Sequence, residues 1–132
     1  MKLEEHEKAY EEHKRNIDRT IEEGIEENQR NLSYNVSQGS VELFSIFLHK
    51  LNIIQGSGDQ FDHRIFKSKK LVESKIKFDF PQKKKILELM KKIEEERNAL
   101  SYGSRKSKER VVEALNNFNE LREIINKEIK NA

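Results

Sequence analysis

The sequence predicts an all-α protein, an up-and-down helical bundle of four to five helices. Glu, Lys, Leu and Ile dominate the composition, and these residues favour helices. Only one proline and five glycines interrupt the 132 residues. Apolar residues recur every three to four positions, and no alternating strand pattern stands out. This length suits a single domain, and a charged fraction of 38% predicts a narrow core beneath a solvated surface.

A charged N-terminal helix is predicted from Lys2 to about Glu27. Its apolar residues form one thin stripe, with steps of seven, seven, four and four, at Leu3, Tyr10, Ile17, Ile21 and Ile25. Such a helix must lean on another surface, because short isolated helices are marginal in water. We therefore divide the single domain, residues 1–132, into this helix (1–29) and a helical core (30–131).

The most hydrophobic segment, about Asn31 to Asn52, is predicted to be the central helix. Asn31 or Ser33 can cap its start. Its apolar face comprises Val36, Leu43, Phe44, Phe47, Leu48 and Leu51. The stretch QGSGDQ that follows, Gln55–Gln60, is predicted to be a loop.

Three further helices complete the predicted bundle. A short one runs from near Phe61 to Ile76 and ends at the FDFP stretch. The next begins with Pro81 in its first turn, where the missing N–H costs nothing, and reaches Leu100. Ser104 or Ser107 caps the last, which extends to about Lys130.

Charge and cysteine content exclude several classes of protein. The absence of cysteine excludes disulfides and thiolate metal sites, and it suits a reducing cytoplasm. No apolar run approaches the ~18–20 residues needed to span a bilayer, and the N-terminus lacks a signal-peptide core. We therefore expect a cytoplasmic protein without membrane contact, cofactor or metal. The net charge of +2 gives no strong attraction to nucleic acid, but basic residues cluster locally.

Arg97 interrupts an apolar stripe of the fourth predicted helix. The stripe has steps of four, three, four and three, at Ile86, Met90, Ile93, Arg97 and Leu100. Arginine is almost never buried without a partner. Arg97 therefore either lies at the rim with its head in water, or points into a polar groove and grips an anion through its guanidinium fork. Asn98 and Tyr102 follow it at the helix end and add hydrogen-bonding groups.

Around these residues the chain resembles the HEPN family of small helical bundles. The family motif is an arginine, usually followed by a polar residue, and a histidine after four to six intervening residues. In ERNALSYGS, Glu96–Ser104, the motif matches Arg97 and Asn98, and Tyr102 stands in the histidine slot. The resemblance covers roughly residues 30–129, including the region of Tyr34 and the segment from His63 to Leu71.

The resemblance implies a homodimer with the two motifs facing one cleft, and an endoribonuclease that needs no metal. It also implies RNA or nucleotide binding, and a nucleotidyltransferase partner of the toxin–antitoxin kind. Arg97 and Tyr102 are then the candidate catalytic residues. Because tyrosine has an ordinary pKa near ~10, Tyr102 is a poor general base, and we expect weak or no cleavage. The expected binding residues are Arg97, Asn98, Tyr102, Tyr34, Lys83 and Arg105.

Several weaker patterns leave alternatives open. A non-catalytic interaction module competes with RNA binding, because the thin stripe of the first helix favours a second chain. His6 and His13 lie seven apart on that helix and suit an interface better than a metal site. His63 is either a capping or surface residue or a substitute for the missing histidine. RNLSY (Arg30–Tyr34) and RNALSY (Arg97–Tyr102) are interpreted as a coincidence, because their flanks do not match.

Overall fold

The computed structural model describes residues 1–55 and 61–132, and within them it is all-helical, as predicted. The bundle has five α-helices and one 3-10 helix and no strand in these two ranges. The α-helices are α1 (Leu3–Glu23), α2 (Gln29–Lys50), α3 (Lys69–Lys75), α4 (Lys83–Ser101) and α5 (Lys108–Asn131), and the 3-10 helix is His63–Lys67. Of the predicted loop at Gln55–Gln60, only Gln55 lies among the described residues.

Helix α2 is the centre of the bundle, because α1, α4 and α5 all pack against it. Three of its aromatic and aliphatic side chains, Phe44, Phe47 and Leu48, are fully buried. Phe44 contacts the rings of Phe61, Phe66 and Phe80 edge-on, at centroid distances of 5.4–5.6 Å. This aromatic cluster fastens the 3-10 helix and the segment before α4 to the central helix.

The stripe of α1 is covered by its own chain. Ile17 is 1% exposed, and Tyr10 and Ile25 pack against the core at its margin. Gly39 permits a close approach of α1 to α2, since a Cβ there would stand 3.3 Å from the Cβ of His13. The apolar stripe of α1 therefore needs no second chain to cover it, apart from Ile21, which is 51% exposed.

Two predicted helix starts are wrong. Asn28, not Asn31 or Ser33, is the residue that precedes α2, and Ser33 lies buried within the helix. Helix α1 ends at Glu23, before the predicted Glu27, because the next residue, Gly24, has a φ of +124° that is incompatible with a helix. Pro81 precedes α4 instead of opening it, because Gln82 adopts a left-handed conformation with φ of +61°.

The predicted third helix, Phe61 to Ile76, is broken into two short pieces. Ser68 is extended, with φ −109° and ψ 112°, and its side chain caps α3 by accepting a hydrogen bond from the Leu71 N–H. Helix α3 buries no residue fully. At α5 the second of the two predicted caps is confirmed, because Ser107 Oγ accepts from the Arg110 N–H at 3.4 Å.

In the described ranges, no helix combines the length and the apolar content that a bilayer crossing requires.

Candidate anion-binding site around Arg97

Arg97 leans from α4 onto the outer edge of α2. It is half-buried, and its Nη1 donates a hydrogen bond to Ser37 Oγ at 3.2 Å. The guanidinium carbon lies 5.4 Å from the centroid of the Tyr34 ring, a cation–π distance. These two contacts explain how an arginine occupies a position on the apolar stripe.

Tyr34 connects Arg97 to α1. Its side chain is 48% exposed, and its ring meets His13 at a centroid distance of 5.8 Å and an interplanar angle of 69°. Helices α1, α2 and α4 thus each contribute to one surface. We call this group, His13, Tyr34, Ser37 and Arg97, the Arg97 site.

A buried amide fixes the α1 side of the Arg97 site. Asn35 is 2% exposed, and its Nδ2 donates to the backbone oxygen of Asn31 at 2.9 Å and to Asn31 Oδ1 at 3.0 Å. Its Oδ1 lies 2.9 Å from His13 Nδ1 and accepts from Asn16 Nδ2 at 3.4 Å. If the Asn35 amide were flipped, its oxygen would face the two oxygens of Asn31. The donor and acceptor ends of Asn35 are therefore fixed, and its oxygen is the atom that faces His13.

The charge of Arg97 is not neutralised from within. Among the described residues, no carboxylate forms an ion pair with it. Its near neighbour in sequence, Glu96, instead pairs with Arg110 at 3.2 Å, and this carboxylate raises the pKa of Arg110. A half-buried, oriented guanidinium without an internal counter-ion has N–H donors available for an external anion, which makes Arg97 the candidate binding residue.

Hydrogen bonds of Gln29 and Arg105 hold the two loops beside the Arg97 site together. Gln29 is 1% exposed; its Nε2 donates to the carbonyl oxygens of Glu26 and Lys106, and its Oε1 accepts from the Lys106 N–H at 2.8 Å. Arg105 Nη1 donates to the carbonyl oxygens of Glu26 and Glu27. The α1–α2 turn and the α4–α5 loop are therefore tied together at the end of the bundle where α4 finishes.

The predicted site residues do not all come together. Asn98 is exposed, and Tyr102 is 71% exposed where α4 ends. In residues 1–55 and 61–132 neither makes a hydrogen bond or ring contact with Arg97. Lys83 lies about 21 Å away along the axis of α4. Its Nζ donates to the carbonyl oxygen of Phe78 at 2.6 Å. Within residues 1–55 and 61–132, Tyr34 is the one predicted companion for which a ring or hydrogen-bond contact with Arg97 is found.

The sequence reasoning missed Glu94, a buried carboxylate. Glu94 is 2% exposed on α4, and both its oxygens lie 2.8 Å from His63 Nδ1. This pair joins α4 to the 3-10 helix, so His63 does not substitute for a histidine beside Arg97. The spacing along the helix could have indicated that Glu94 is buried, because it lies four positions after Met90 and three before Arg97, on the same apolar face.

The first two histidines have separate environments. His6 is 2% exposed, and its Nδ1 lies 2.6 Å from Glu42 Oε2, whereas His13 contacts Asn35. The described residues contain no group of three His, Cys, Asp or Glu arranged to hold a metal ion.

No family model, curated protein or solved structure matches the chain.

Proposed function

We propose that the protein binds the phosphate groups of RNA or a nucleotide at the Arg97 site. The observation that carries the proposal is the guanidinium of Arg97, oriented by Ser37 and Tyr34 and without an ion-pair partner among the described residues. One of its five N–H donors is used by Ser37, so the others can grip phosphate oxygens. RNA-binding proteins also stack bases on aromatic rings and guanidinium planes, and both are present here.

The proposal keeps the HEPN-like interpretation of the sequence in a restricted form. It is supported by the all-helical bundle and by an arginine near the end of α4. Cleavage is expected to be weak or absent, because the motif has no histidine and Tyr102 makes no hydrogen bond or ring contact with Arg97 within the described residues. A homodimer that places two Arg97 sites on one cleft belongs to the same proposal.

The test is a binding titration with a fluorescein-labelled single-stranded RNA of about 12 nucleotides. We expect Arg97→Ala to weaken binding at least about tenfold, since a charge-assisted hydrogen bond contributes about 1.5–3 kcal/mol. Arg97→Lys should recover only part of the affinity, because an ammonium lacks the fork. Arg64→Ala is the matched control, since it removes the same charge from a 72% exposed side chain on the 3-10 helix. Equal losses for Arg97→Ala and Arg64→Ala would show attraction by net charge alone.

A second candidate function is a non-catalytic interaction module, with a nucleotidyltransferase or a second copy as partner. Tyr102 favours it, because its side chain is 71% exposed and tyrosine is enriched at the centre of protein interfaces. Sedimentation equilibrium tests the form in which the partner is a second copy of the chain. A dimer that Tyr102→Ser dissociates supports it, and a monomer at high concentration contradicts it.

A further inference from the structure

We infer that His13 is a specificity residue of the Arg97 site, which accepts a hydrogen bond from the ribose 2′-hydroxyl and so distinguishes RNA from DNA. This inference rests on the proposed function, because it needs a nucleic-acid strand held at Arg97. It adds a residue from α1, outside the segment that carries the arginine motif.

The hydrogen-bond network assigns the protons of the imidazole. Asn35 Nδ2 donates to the Asn31 carbonyl oxygen, which can only accept, so Asn35 Oδ1 faces His13 at 2.9 Å. An oxygen cannot donate to a ring nitrogen, and therefore His13 Nδ1 carries the hydrogen. In the neutral imidazole the other nitrogen, Nε2, is then an acceptor with a free lone pair.

The chain itself leaves this acceptor available. Among the described residues, no donor forms a hydrogen bond with His13 Nε2, and the side chain is half-buried, neither sealed nor fully solvated. The buried amide of Asn35 and the T-shaped contact with Tyr34 hold the ring in place. Holding the imidazole in this orientation favours a hydrogen bond from a donor on a ligand to the Nε2 lone pair.

The chemistry of the ligand decides which donor fits. Phosphate diesters have no hydrogen to donate, so His13 complements a different part of the strand from that held by Arg97. The guanidinium carbon of Arg97 and the ring centre of His13 lie 5.4 and 5.8 Å from the centroid of the Tyr34 ring, so both residues flank the same side chain. The 2′-hydroxyl is a donor that RNA has and DNA lacks, and it lies next to the phosphate on the sugar.

The experiment compares three ligands of one sequence, single-stranded RNA, its all-deoxy form and its 2′-O-methyl form. For the wild-type protein we expect RNA to bind about 3- to 10-fold more tightly than either analogue, because one neutral hydrogen bond contributes about 0.5–1.5 kcal/mol. The 2′-O-methyl ligand is informative because it keeps the oxygen and loses the donor. This comparison needs no variant, so it does not depend on whether a substitution folds.

His13→Phe keeps the ring against Tyr34 and removes both nitrogens. We expect it to lower RNA affinity about 3- to 10-fold more than DNA affinity and so to bring the RNA-to-DNA ratio near one. Equal affinity of the wild type for all three ligands overturns the role of His13, as does an unchanged RNA-to-DNA ratio in His13→Phe. If Arg97→Ala still weakens all ligands together, the proposed function survives that result. If Arg97→Ala changes nothing, the proposed function itself fails.

Discussion

The guanidinium of Arg97 lies over the ring of Tyr34, with 5.4 Å between the guanidinium carbon and the ring centroid. The two residues belong to the two similar stretches of the chain, RNLSY and RNALSY. The same stretches meet a second time, because Ser33 Oγ and Ser101 Oγ lie 2.8 Å apart. The flanks of the two stretches do not match, so the sequence favours coincidence. The contact between the stretches across the α2–α4 interface is visible only in the tertiary structure.

Removing the ring beneath Arg97 should weaken binding at the Arg97 site. We expect Tyr34→Ala to lower RNA affinity about 3- to 10-fold, because a cation–π contact contributes about 0.5–2 kcal/mol. Tyr34→Phe keeps the ring face and should stay near the wild type. A titration with the labelled RNA measures both. Tyr102→Ala serves as control, and a loss as large as that of Tyr34→Ala would extend the site to the end of α4.

The His63–Glu94 pair should be asymmetric in its contribution to stability. His63→Ala leaves a carboxylate that is 2% exposed without its partner, and we expect a loss of about 3 kcal/mol in the free energy of unfolding. Glu94→Gln keeps an acceptor for His63 and removes the buried charge, so its loss should be smaller, about 1 kcal/mol. Urea denaturation measures both, with Glu95→Gln on the exposed side of α4 as control. Equal losses in the two variants would contradict the expected asymmetry.

The hydrogen bonds between Gln29 and Lys106 should stabilise the end of the bundle beside the Arg97 site. Gln29→Ala leaves the N–H and the carbonyl oxygen of Lys106 without the amide that pairs them, and we expect a loss of about 2 kcal/mol. Gln38→Ala removes the same amide from a half-buried position on the same helix and should cost less. Thermal or urea unfolding compares the two. If both variants lower the free energy of unfolding equally, the hydrogen bonds of Gln29 to Lys106 add nothing beyond packing.

Asp62 should make a small part of the free energy of unfolding dependent on pH in the acid range. Hydrogen bonds from the Arg64 side chain and N–H lower the pKa of Asp62 well below its usual range. A lowered pKa in the folded state stabilises the protein above the ordinary carboxyl range and loses that contribution as the pH falls. Both side chains are largely exposed, so water screens the pair and the effect is small.

Comparing Asp62→Asn with the wild type across pH isolates this contribution. The wild type should be the more stable at pH 7, and the difference should shrink as the pH falls below ~4. A difference that stays constant from neutral to acid pH would assign the effect to the helix cap and not to the charge.

Much of the fold was predictable, since helix content follows from composition and from the spacing of apolar residues. Helix α5 and its cap at Ser107 matched the prediction, because the cap interaction is local. Local signals failed where two choices compete. Ser33 has the side chain of a good cap, yet it lies inside α2 and contacts Ser101. The break at Ser68 was also missed, because the apolar pattern continues across it.

The sequence by itself determined an all-helical chain and an arginine on an apolar stripe of α4. Periodicity reports which face of its own helix a residue occupies, and that was enough to single out Arg97. Only the tertiary structure decided which side chains contact Arg97. These are Tyr34 and Ser37 from α2, and the Tyr34 ring in turn contacts His13 from α1. The register between packed helices sets these contacts. It depends on the shapes of many side chains at once, such as the close approach at Gly39, and no single spacing along the chain encodes it.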